Sequence, residues 1–248
     1  MITVLVSASP IPSMPSIDVI DETLDSVRQH LPAATVIVLC DGVRDADEDL
    51  TDAYRQWRDT LAEAYASDPH LTIVRHETWV HQAAMYRAAL EYVTTPLVLM
   101  MEADTPLTSP EVGPIPWDDL CDVLDADLLD SVRFSHEASI LSVHEHLALD
   151  REPIEIGGVP VVRTVQFSAR PHLARADWYR RILADHFPTK SRTYTEDVLH
   201  GVVQHAWYDD GMFGWERYRL AIYAPDGSMV RSRHTDGRAG RVKAPVVM

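Results

Sequence analysis

Residues 96–107 of this chain read PLVLMMEADTPL, and the interpretation of the whole sequence starts from this stretch. Its first half is a continuous apolar run, which is typical of a β-strand buried on both faces of a sheet. The run leads directly into Glu102 and Asp104, and residues two apart in an extended chain point to the same side. Such a carboxylate pair can hold a divalent cation beside a phosphate. The alternative is an acidic loop without a ligand, which a chain rich in Asp and Glu produces by chance.

Three similar apolar runs come earlier in the chain, separated by segments with helical periodicity. Alternation of strand and helix four times over predicts βαβ units, an α/β fold and a mostly parallel central sheet with helices on both faces. In such sheets ligands bind outside the carboxyl ends of the strands. The predicted strands are 2–8, 35–40, 71–74 and 96–101, and the segments expected at their carboxyl ends are 7–13, 40–45, 75–82 and 101–107.

The pattern changes after residue 104, where a proline-rich loop begins. The following sequence predicts a short helix in WDDLCDVL, a strand over 159–169, two longer helices, and a hairpin that turns at Asp226-Gly227. No internal repeat or linker divides the chain, so we expect one domain over residues 1–248. Its expected parts are 1–107, 108–234 and a mobile C-terminal tail, 235–248.

Composition excludes several classes of protein. The chain of 248 residues has 22 Lys and Arg against 38 Asp and Glu, a net charge of -16. Such an acidic chain is a poor non-specific ligand for nucleic acid or anionic membranes. Two cysteines cannot form a disulfide scaffold. The N-terminus lacks the features of a signal peptide, and no apolar run is long enough to span a bilayer, so we expect a soluble cytoplasmic protein.

The order of these segments resembles a GT-A glycosyltransferase, close to the family 2 type. The resemblance covers residues 2–107 and rests on Asp41 after the second strand, the small-residue helix HQAAMYRAALEYV, and Glu-Ala-Asp in place of the family's Asp-x-Asp element. It implies a nucleotide-diphospho-sugar transferase fold, with a donor-binding half over 1–107 and an acceptor half over 108–234. It also implies Mn²⁺ or Mg²⁺ as cofactor. Asp104 is the expected main ligand, because the last Asp of the element usually holds the metal.

The resemblance also implies roles in the second half of the chain. In TEDVLHGVV it implies that Asp197, with Glu196 as second choice, is the general base that faces the acceptor. A helix N-terminus favours a charged carboxylate, although acids there also serve as simple caps. In RSRHTDGRAG it implies His234 as a further metal ligand. The arginines expected to neutralise the diphosphate are Arg231, Arg233 and Arg238.

Other positions are expected to bind the donor or the acceptor. The donor is expected over the loop that follows the first strand and at the start of the third helix, although core or surface roles fit the latter equally. The implied donor contacts are Ser7, Ser9, Pro10, Asp41, His81 and Gln82. Arg170, His172 and Arg175 could face phosphate or the acceptor, or could be surface charge.

The predicted function is metal-dependent transfer of a sugar from a nucleotide-sugar donor to an acceptor hydroxyl, of the hexosyltransferase type, with inversion. The acceptor stays open among a saccharide, a lipid carrier, a small molecule and a hydroxylated base in modified DNA. The last option arises because ADTPL, RTVQFSARPHLA and HTDGR look like glycosyltransferase-like proteins of actinobacteria and their phages. Two other functions compete. A sugar-phosphate nucleotidyltransferase is disfavoured because SASPIPSMPS lacks the glycine, Arg and Lys of a phosphate loop. A non-catalytic sugar-nucleotide-binding protein is the other.

Overall fold

The structure is a computed structural model that describes residues 1–189 and 191–235. A nine-stranded sheet flanked by helices forms these ranges. The strands are β1 Ile2–Ala8, β2 Thr35–Cys40, β3 Leu71–Arg75, β4 Leu97–Glu102, β5 Ser131–Arg133, β6 Ile154–Ile156, β7 Val159–Arg163, β8 His172–Arg175 and β9 Leu220–Tyr223. The helices are α1 Asp18–His30, α2 Thr51–Ala64, α3 Gln82–Leu90, α4 Trp117–Asp125, α5 Ala176–His186, α6 Thr195–Asp210 and α7 Met212–Glu216, with 3₁₀ turns at Asp45–Leu50 and Ser142–Leu147.

Apolar periodicity accounts for the first helix and its packing. Ile20, Leu24 and Val27 recur at steps of four and three, and all three are buried against the sheet core. The Ser16 hydroxyl accepts a hydrogen bond from the Asp18 backbone N–H at 3.2 Å. The helix ends at His30, two residues before a proline that cannot continue it.

The first half of the sheet is parallel, as the sequence predicts. β1 pairs in parallel with β2 and β4, and β2 pairs in parallel with β3. The register sets Ser7 beside Glu102 and Ala8 beside Cys40. Because these residues end their strands, the polar segments that follow them meet at one edge of the sheet.

The second half is mixed and differs from the sequence prediction in two places. The strand predicted over 159–169 ends at Arg163, and β8 forms at His172–Arg175, antiparallel to both β4 and β5. The predicted hairpin at Asp226-Gly227 is wrong. Both edges of β9 are already occupied, by β5 on one side and β7 on the other, so the returning chain cannot pair with it. It forms isolated bridges from Val230 to Ser135 and from Ser232 to Leu107 instead.

The remaining predictions concern the cysteines, the membrane and the tail. Cys40 is buried, Cys121 is partly buried, and both are free thiols. Within the described ranges, no helix has the length and apolar character needed to cross a membrane. The predicted tail lies outside the described residues, apart from Thr235.

Candidate active site

A cavity of about 460 Å³ opens at the carboxyl ends of β1, β2 and β4. The sequence-predicted residues that line it are Ser7, Ser9, Pro10, Asp41, His81, Gln82, Glu102, Asp104 and His234. Further lining residues that the sequence reasoning did not select include Arg44, Asp47, Trp79 and Tyr194. The fold therefore gathers in one cavity side chains from both ends of the chain.

Asp104 and His234 form the closest pair of metal-ligand types in this cavity. The His234 Nε2 atom lies 3.3 Å from Asp104 Oδ2. The Thr235 backbone N–H and hydroxyl both donate to the Asp104 carbonyl oxygen, at 2.9 and 3.1 Å, and so hold the C-terminal segment against the loop after β4. Asp104 is largely shielded, and the His234 side chain is 45% exposed, so the pair faces the open cavity. A carboxylate and an imidazole together suit Mn²⁺, and the carboxylate also suits Mg²⁺.

Glu102 is held away from that pair by other partners. Its Oε1 atom accepts hydrogen bonds from the Tyr194 hydroxyl at 2.7 Å and from Gln82 Nε2 at 3.3 Å. Burial raises the pKa of Tyr194, so its hydroxyl stays protonated and donates. Across residues 1–189 and 191–235, no three His, Cys, Asp or Glu side chains form a cluster that could hold a metal. The structure thus brings together Asp104 and His234 but not the predicted set of three.

Gln82 extends this network to the helix that carries the predicted base. Its Oε1 atom accepts a hydrogen bond from the Thr195 backbone N–H at 3.2 Å and another from the Thr195 hydroxyl. Both Gln82 and Thr195 are buried. The start of α6 is therefore tied, through Gln82, to Glu102 at the end of β4.

Asp41 organises the loop between β3 and α3. Its Oδ1 atom accepts hydrogen bonds from the Gly42 and Val80 backbone N–H groups, both at 2.8 Å, and its Oδ2 accepts from His81 N–H at 3.0 Å. A Cβ atom on Gly42 would lie 2.1 Å from the Thr78 carbonyl carbon, so this close approach requires glycine. The buried carboxylate thus fixes the backbone that forms one wall of the cavity.

His81 has an unusual backbone conformation at the start of α3. Its φ is 68° and its ψ is 168°, a region that residues with a side chain rarely occupy and that is often found at functional sites. The His81 Nδ1 atom accepts a hydrogen bond from the Gln82 backbone N–H at 2.8 Å, which caps the helix. Burial lowers the pKa of His81, while the charges of Asp41 and Asp197 act in the opposite direction. A neutral imidazole therefore faces the cavity.

Aromatic rings form a further wall that the sequence reasoning missed. The ring of His81 lies between Trp79 and Tyr194, with centroid separations of 5.3 and 6.1 Å. The guanidinium of Arg192 lies 5.6 Å above the Trp79 ring. Trp79 falls within the segment predicted at the end of β3, whereas nothing in the local sequence around Tyr194 sets it apart.

The two predicted base residues have different environments. Glu196 is partly buried, and its Oε2 atom accepts a hydrogen bond from the Ala169 backbone N–H at 2.7 Å. Asp197 is exposed, and no hydrogen bond or ion pair to it is found within the described part of the chain. Its negative charge acts on the pKa of the cavity residue His81, and it lies three residues after the cavity-lining residue Tyr194. Asp197 is therefore the more available carboxylate.

Two of the predicted arginines, Arg231 and Arg233, do not line the cavity. Arg231 is buried and donates to the carbonyl oxygens of Pro114, Ser228 and Val230 at 3.0, 2.9 and 2.6 Å. Arg233 pairs with Glu22 on α1, and Arg238 lies outside the described residues. The positions of Arg231 and Arg233 give no support to their predicted contact with the diphosphate.

Comparison with known proteins confirms the resemblance to GT-A glycosyltransferases of the family 2 type, and gives no support to the likeness to proteins of actinobacteria and their phages. The profile of Glycosyl transferase family 2 matches residues 11–113, from the loop after β1 to beyond β4. No curated protein matches the chain in sequence. Solved structures of GT-A glycosyltransferases share its fold, which confirms the predicted fold class.

Three of these structures cover nearly the whole chain. Staphylococcus aureus TarS 1–349 has a TM-score of 0.56 at 15% identity over 94% of this chain. The mannosyltransferase PcManGT of Pyrobaculum calidifontis, in complex with GDP-Man and Mn²⁺, has 0.50 at 19% over 91%. GalNAc-T7 with UDP, GalNAc and Mn²⁺ has 0.54 at 9% over 94%. The chain in turn covers 60%, 57% and 43% of those three structures.

Proposed function

We propose that this chain, with its family 2 region at residues 11–113 and its GT-A fold, transfers a sugar from a nucleotide-diphosphate sugar to an acceptor hydroxyl. The observation that carries the proposal is the convergence of Asp104 and His234, 3.3 Å apart, on a cavity at the carboxyl ends of the parallel strands. Ligands of open α/β sheets bind at this edge. The complexes of PcManGT with GDP-Man and Mn²⁺ and of TarS with UDP-GlcNAc fit a donor of this kind.

The charge of the cavity supports dependence on a divalent metal. Four carboxylates line it, and Arg44, the arginine among its lining residues, is paired with Asp47 at 2.6 Å. The carboxylates are Asp41, Asp47, Glu102 and Asp104. A diphosphate entering this surface would meet net repulsion unless a cation came with it. We therefore assign the metal to Asp104 and His234, with the donor oxygens and water completing its coordination.

Glu102 has a supporting role in this proposal. Its hydrogen bonds from Tyr194 and Gln82 fix the start of the loop that carries Asp104. A bound Mn²⁺ or Mg²⁺ supplies positive charge that offsets the negative charge on the leaving diphosphate. The protein's contribution is to hold Asp104 and His234 in place before the donor arrives, which avoids reorganisation during the reaction.

Asp197 is the proposed general base, and the reaction proceeds with inversion. The exposed carboxylate at the first turn of α6 accepts the proton of the acceptor hydroxyl. The hydroxyl oxygen forms a bond to the anomeric carbon as the bond from that carbon to the diphosphate oxygen breaks. The electron pair leaves with the nucleoside diphosphate. Glu196 is less suited because it already holds the Ala169 backbone.

Slow hydrolysis of donor sugars in buffer tests whether the cavity is catalytic. A panel of UDP-, GDP- and TDP-sugars is incubated with Mn²⁺, and the released nucleoside diphosphate is quantified by chromatography. We expect one nucleotide class to be hydrolysed by the wild-type protein and spared by Asp104→Asn. Metal-dependent donor binding without hydrolysis, either alone or with acceptor panels, would instead indicate a non-catalytic sugar-nucleotide-binding protein.

A further inference from the structure

A second concave surface lies on the acceptor side of the active site. It is a narrow groove between the loop after β5, the segment that follows β7, and strand β9, with a small cavity of about 20 Å³. Its polar lining includes Arg133, Ser135, Glu137, His144, Gln166 and Arg170. No role at this groove follows from the donor site described above.

Arg133 at the base of the groove is a buried charge with too few partners. Its residue surface is 9% exposed, and its Nη2 atom donates to Gln166 Oε1 at 3.1 Å. Its Nε atom is buried without a hydrogen-bond partner, and no ion pair to Arg133 is found in residues 1–189 and 191–235. A guanidinium carries five N–H donors. Burial of such a group is costly unless an anion accepts from it.

The nearby carboxylates do not supply that anion. Glu137 pairs with Arg170 through both of its oxygens, the longer contact being 2.6 Å from Arg170 Nη2 to Oε1. Glu196 uses one oxygen on the Ala169 backbone N–H. Burial lowers the pKa of Arg133 to about 10, and the neighbouring charge of Arg170 adds to this, whereas the charges of Glu196 and Glu137 act in the opposite direction. Arg133 still remains charged at neutral pH.

The groove is adjacent to the proposed reaction centre. His136 follows its lining residue Ser135, and the His136 ring lies 6.3 Å from the ring of His234. The Nδ1 atom of His136 is 2.8 Å from the Ser232 hydroxyl, so the segment that carries His234 packs against the groove wall. On another side, Glu196 is close enough to act on the charge of Arg133 and precedes Asp197 in the chain. The groove thus lies beside the segment that carries the proposed metal ligand His234.

The two concave surfaces differ in charge. The donor cavity has four carboxylates and one arginine, whereas the groove has two arginines and one carboxylate. A positive concave surface is unexpected in a chain of net charge -16. A neutral sugar acceptor would need no such surface, because hydroxyl groups are recognised by neutral donors and acceptors as well.

We propose that Arg133 and Arg170 form an oxyanion subsite for the acceptor, so that the acceptor carries a phosphate or carboxylate group beside the hydroxyl that receives the sugar. The inference rests on the proposed function for the meaning of the acceptor, while the anion site itself can be tested without any donor. Forked N–H groups of arginine match the oxygens of both anions. The anion would enter between the loop after β5 and the segment after β7 and accept from guanidinium N–H groups of the two arginines that line the groove.

Thermal unfolding with inorganic phosphate tests the subsite directly. The wild-type protein is melted in EDTA with phosphate, acetate or chloride at equal ionic strength, and EDTA keeps metal-mediated phosphate binding out of the donor cavity. We expect phosphate or acetate, but not chloride, to raise the Tm by about 3–6 °C at ten times its Kd. Absence of any shift for both oxyanions would overturn the proposal.

Substitutions of the groove arginines show whether the phosphate that raises the Tm binds in the groove. In Arg133→Met and in Arg170→Gln we expect the phosphate shift to fall at least about threefold, because each removes charge from the groove. Arg44→Gln, in the donor cavity, is the matched control and should keep the shift. A shift that survives in both groove variants, or that disappears in Arg44→Gln, would place the anion elsewhere and overturn the subsite.

The Tm in the absence of phosphate distinguishes an anion-binding role of Arg133 from a role in stabilising the fold. In phosphate-free buffer we expect Arg133→Met to have an equal or higher Tm than the wild type, because it removes an uncompensated buried charge. A large fall in the Tm would mean that Arg133 stabilises the fold, and would contradict the proposal. Should that variant fail to fold, Arg170→Gln and the wild-type anion series still decide the question.

Small hydroxylated anions distinguish phosphate from carboxylate. Glycerol 3-phosphate, glycerate and neutral glycerol are added in the same assay, and we expect one of the two anions to stabilise the protein more than glycerol does. Donor binding with Mn²⁺ is measured separately in Arg133→Met and should be unchanged. If the wild-type protein binds no donor sugar with Mn²⁺, the proposed function is refuted but the subsite is not. If glycerol 3-phosphate, glycerate and glycerol change the Tm by the same amount, the subsite is refuted.

Discussion

Asp104 and His234 lie close together because backbone contacts hold two distant segments of the chain against each other. Thr235 donates twice to the Asp104 carbonyl oxygen, and Ser232 bridges to Leu107. The imidazole of His234 must be neutral to bind a metal, so a proton and a divalent cation compete for it. Metal affinity should therefore weaken on acidification, together with donor affinity.

Asp104→Asn is expected to weaken metal-dependent donor binding on the order of 10–100-fold, because an amide is a poor substitute for a charged ligand. Isothermal titration of the nucleotide with Mn²⁺ measures the effect. Asp47→Asn, the same change in another residue lining the cavity, is the control and should keep the metal dependence. Unchanged affinity in Asp104→Asn would remove Asp104 from the metal site.

Asp197→Asn is expected to leave donor affinity nearly intact and to lower turnover by about 10²–10⁴, the usual contribution of a positioned base. Steady-state kinetics with the identified donor and acceptor measure it. The matched variant Glu196→Gln retains an oxygen that can accept from Ala169 N–H, and its turnover should stay close to wild type. The reverse result would assign the base to Glu196.

Residue roles were predictable where local sequence and strand order agree. Asp104 was marked by the strand that precedes it, and it lines the cavity as expected. Arg231 was assigned to the diphosphate because it lies close to His234 in the sequence. Its side chain instead donates a hydrogen bond to a carbonyl oxygen of the loop before α4. Arg133 belongs to no motif, and the lack of a partner for its Nε atom depends on how distant segments fold around it. The local sequence therefore does not predict in which direction the side chains of irregular segments point.

At the scale of elements, the loop between β3 and α3 is set by a single buried carboxylate. Asp41 accepts hydrogen bonds from three backbone N–H groups, those of Val80 and His81 in this loop and that of Gly42 after β2. Those bonds orient the start of α3, from which Gln82 reaches both Glu102 and Thr195. The carboxyl ends of β2 and β4 and the first residues of α3 and α6 therefore together shape the donor cavity.

Asp41→Asn tests this organisation. The amide can place only one oxygen among three donors, so at least one buried N–H loses its partner at a cost of about 1–3 kcal/mol. For a chain of this size the Tm should fall by about 3–10 °C, measured by circular dichroism. Asp45→Asn, on the nearby 3₁₀ turn, is the control and should have little effect. An unchanged Tm in Asp41→Asn would mean that these bonds contribute nothing.

Element prediction succeeded in the first half and failed in parts of the second for a physical reason. Continuous apolar runs between helical segments define parallel strands whatever their neighbours are. In the second half, strands are short and pair with distant partners, so pairing is decided by which edges remain open. The chain after Gly227 has a hairpin-like pattern but finds both edges of β9 occupied.

At the scale of the whole molecule, the second half completes a site that begins in the first. The family match ends at residue 113, whereas His234, Tyr194 and Asp197 come from beyond it. The sheet joins the halves through β8, which pairs with both β4 and β5. Composition predicted an acidic protein, but only the fold shows how charge is divided between two concave surfaces.

Stability should depend on pH through buried neutral histidines. Burial lowers the pKa of His172 to about 4, and that of His136 likewise to about 4. Between pH 6.5 and 4 the unfolded chain binds protons that the folded chain does not, so stability is lost as the pH falls through this window. For His172 the loss is about 2 kcal/mol between pH 6.5 and 5.

Urea unfolding of the wild type and His172→Gln at pH 7 and pH 5 measures this contribution. The variant should lose less stability on acidification than the wild type, because its side chain does not titrate. His70→Gln, whose residue is exposed, provides the control and should keep the wild-type pH dependence. Parallel stability curves for the wild type and His172→Gln would mean that His172 is not held neutral by burial.

A thermal-shift series tests whether Asp104 and His234 form a metal-dependent site for a nucleoside diphosphate. The protein is melted with UDP, GDP or TDP, each in the presence of Mn²⁺ and of EDTA. We expect one nucleotide to raise the Tm with Mn²⁺ and EDTA to abolish this rise. The variants Asp104→Asn and His234→Gln should both lack the rise. A shift of equal size in EDTA, or one retained by both variants, would contradict a metal-dependent site at these two residues.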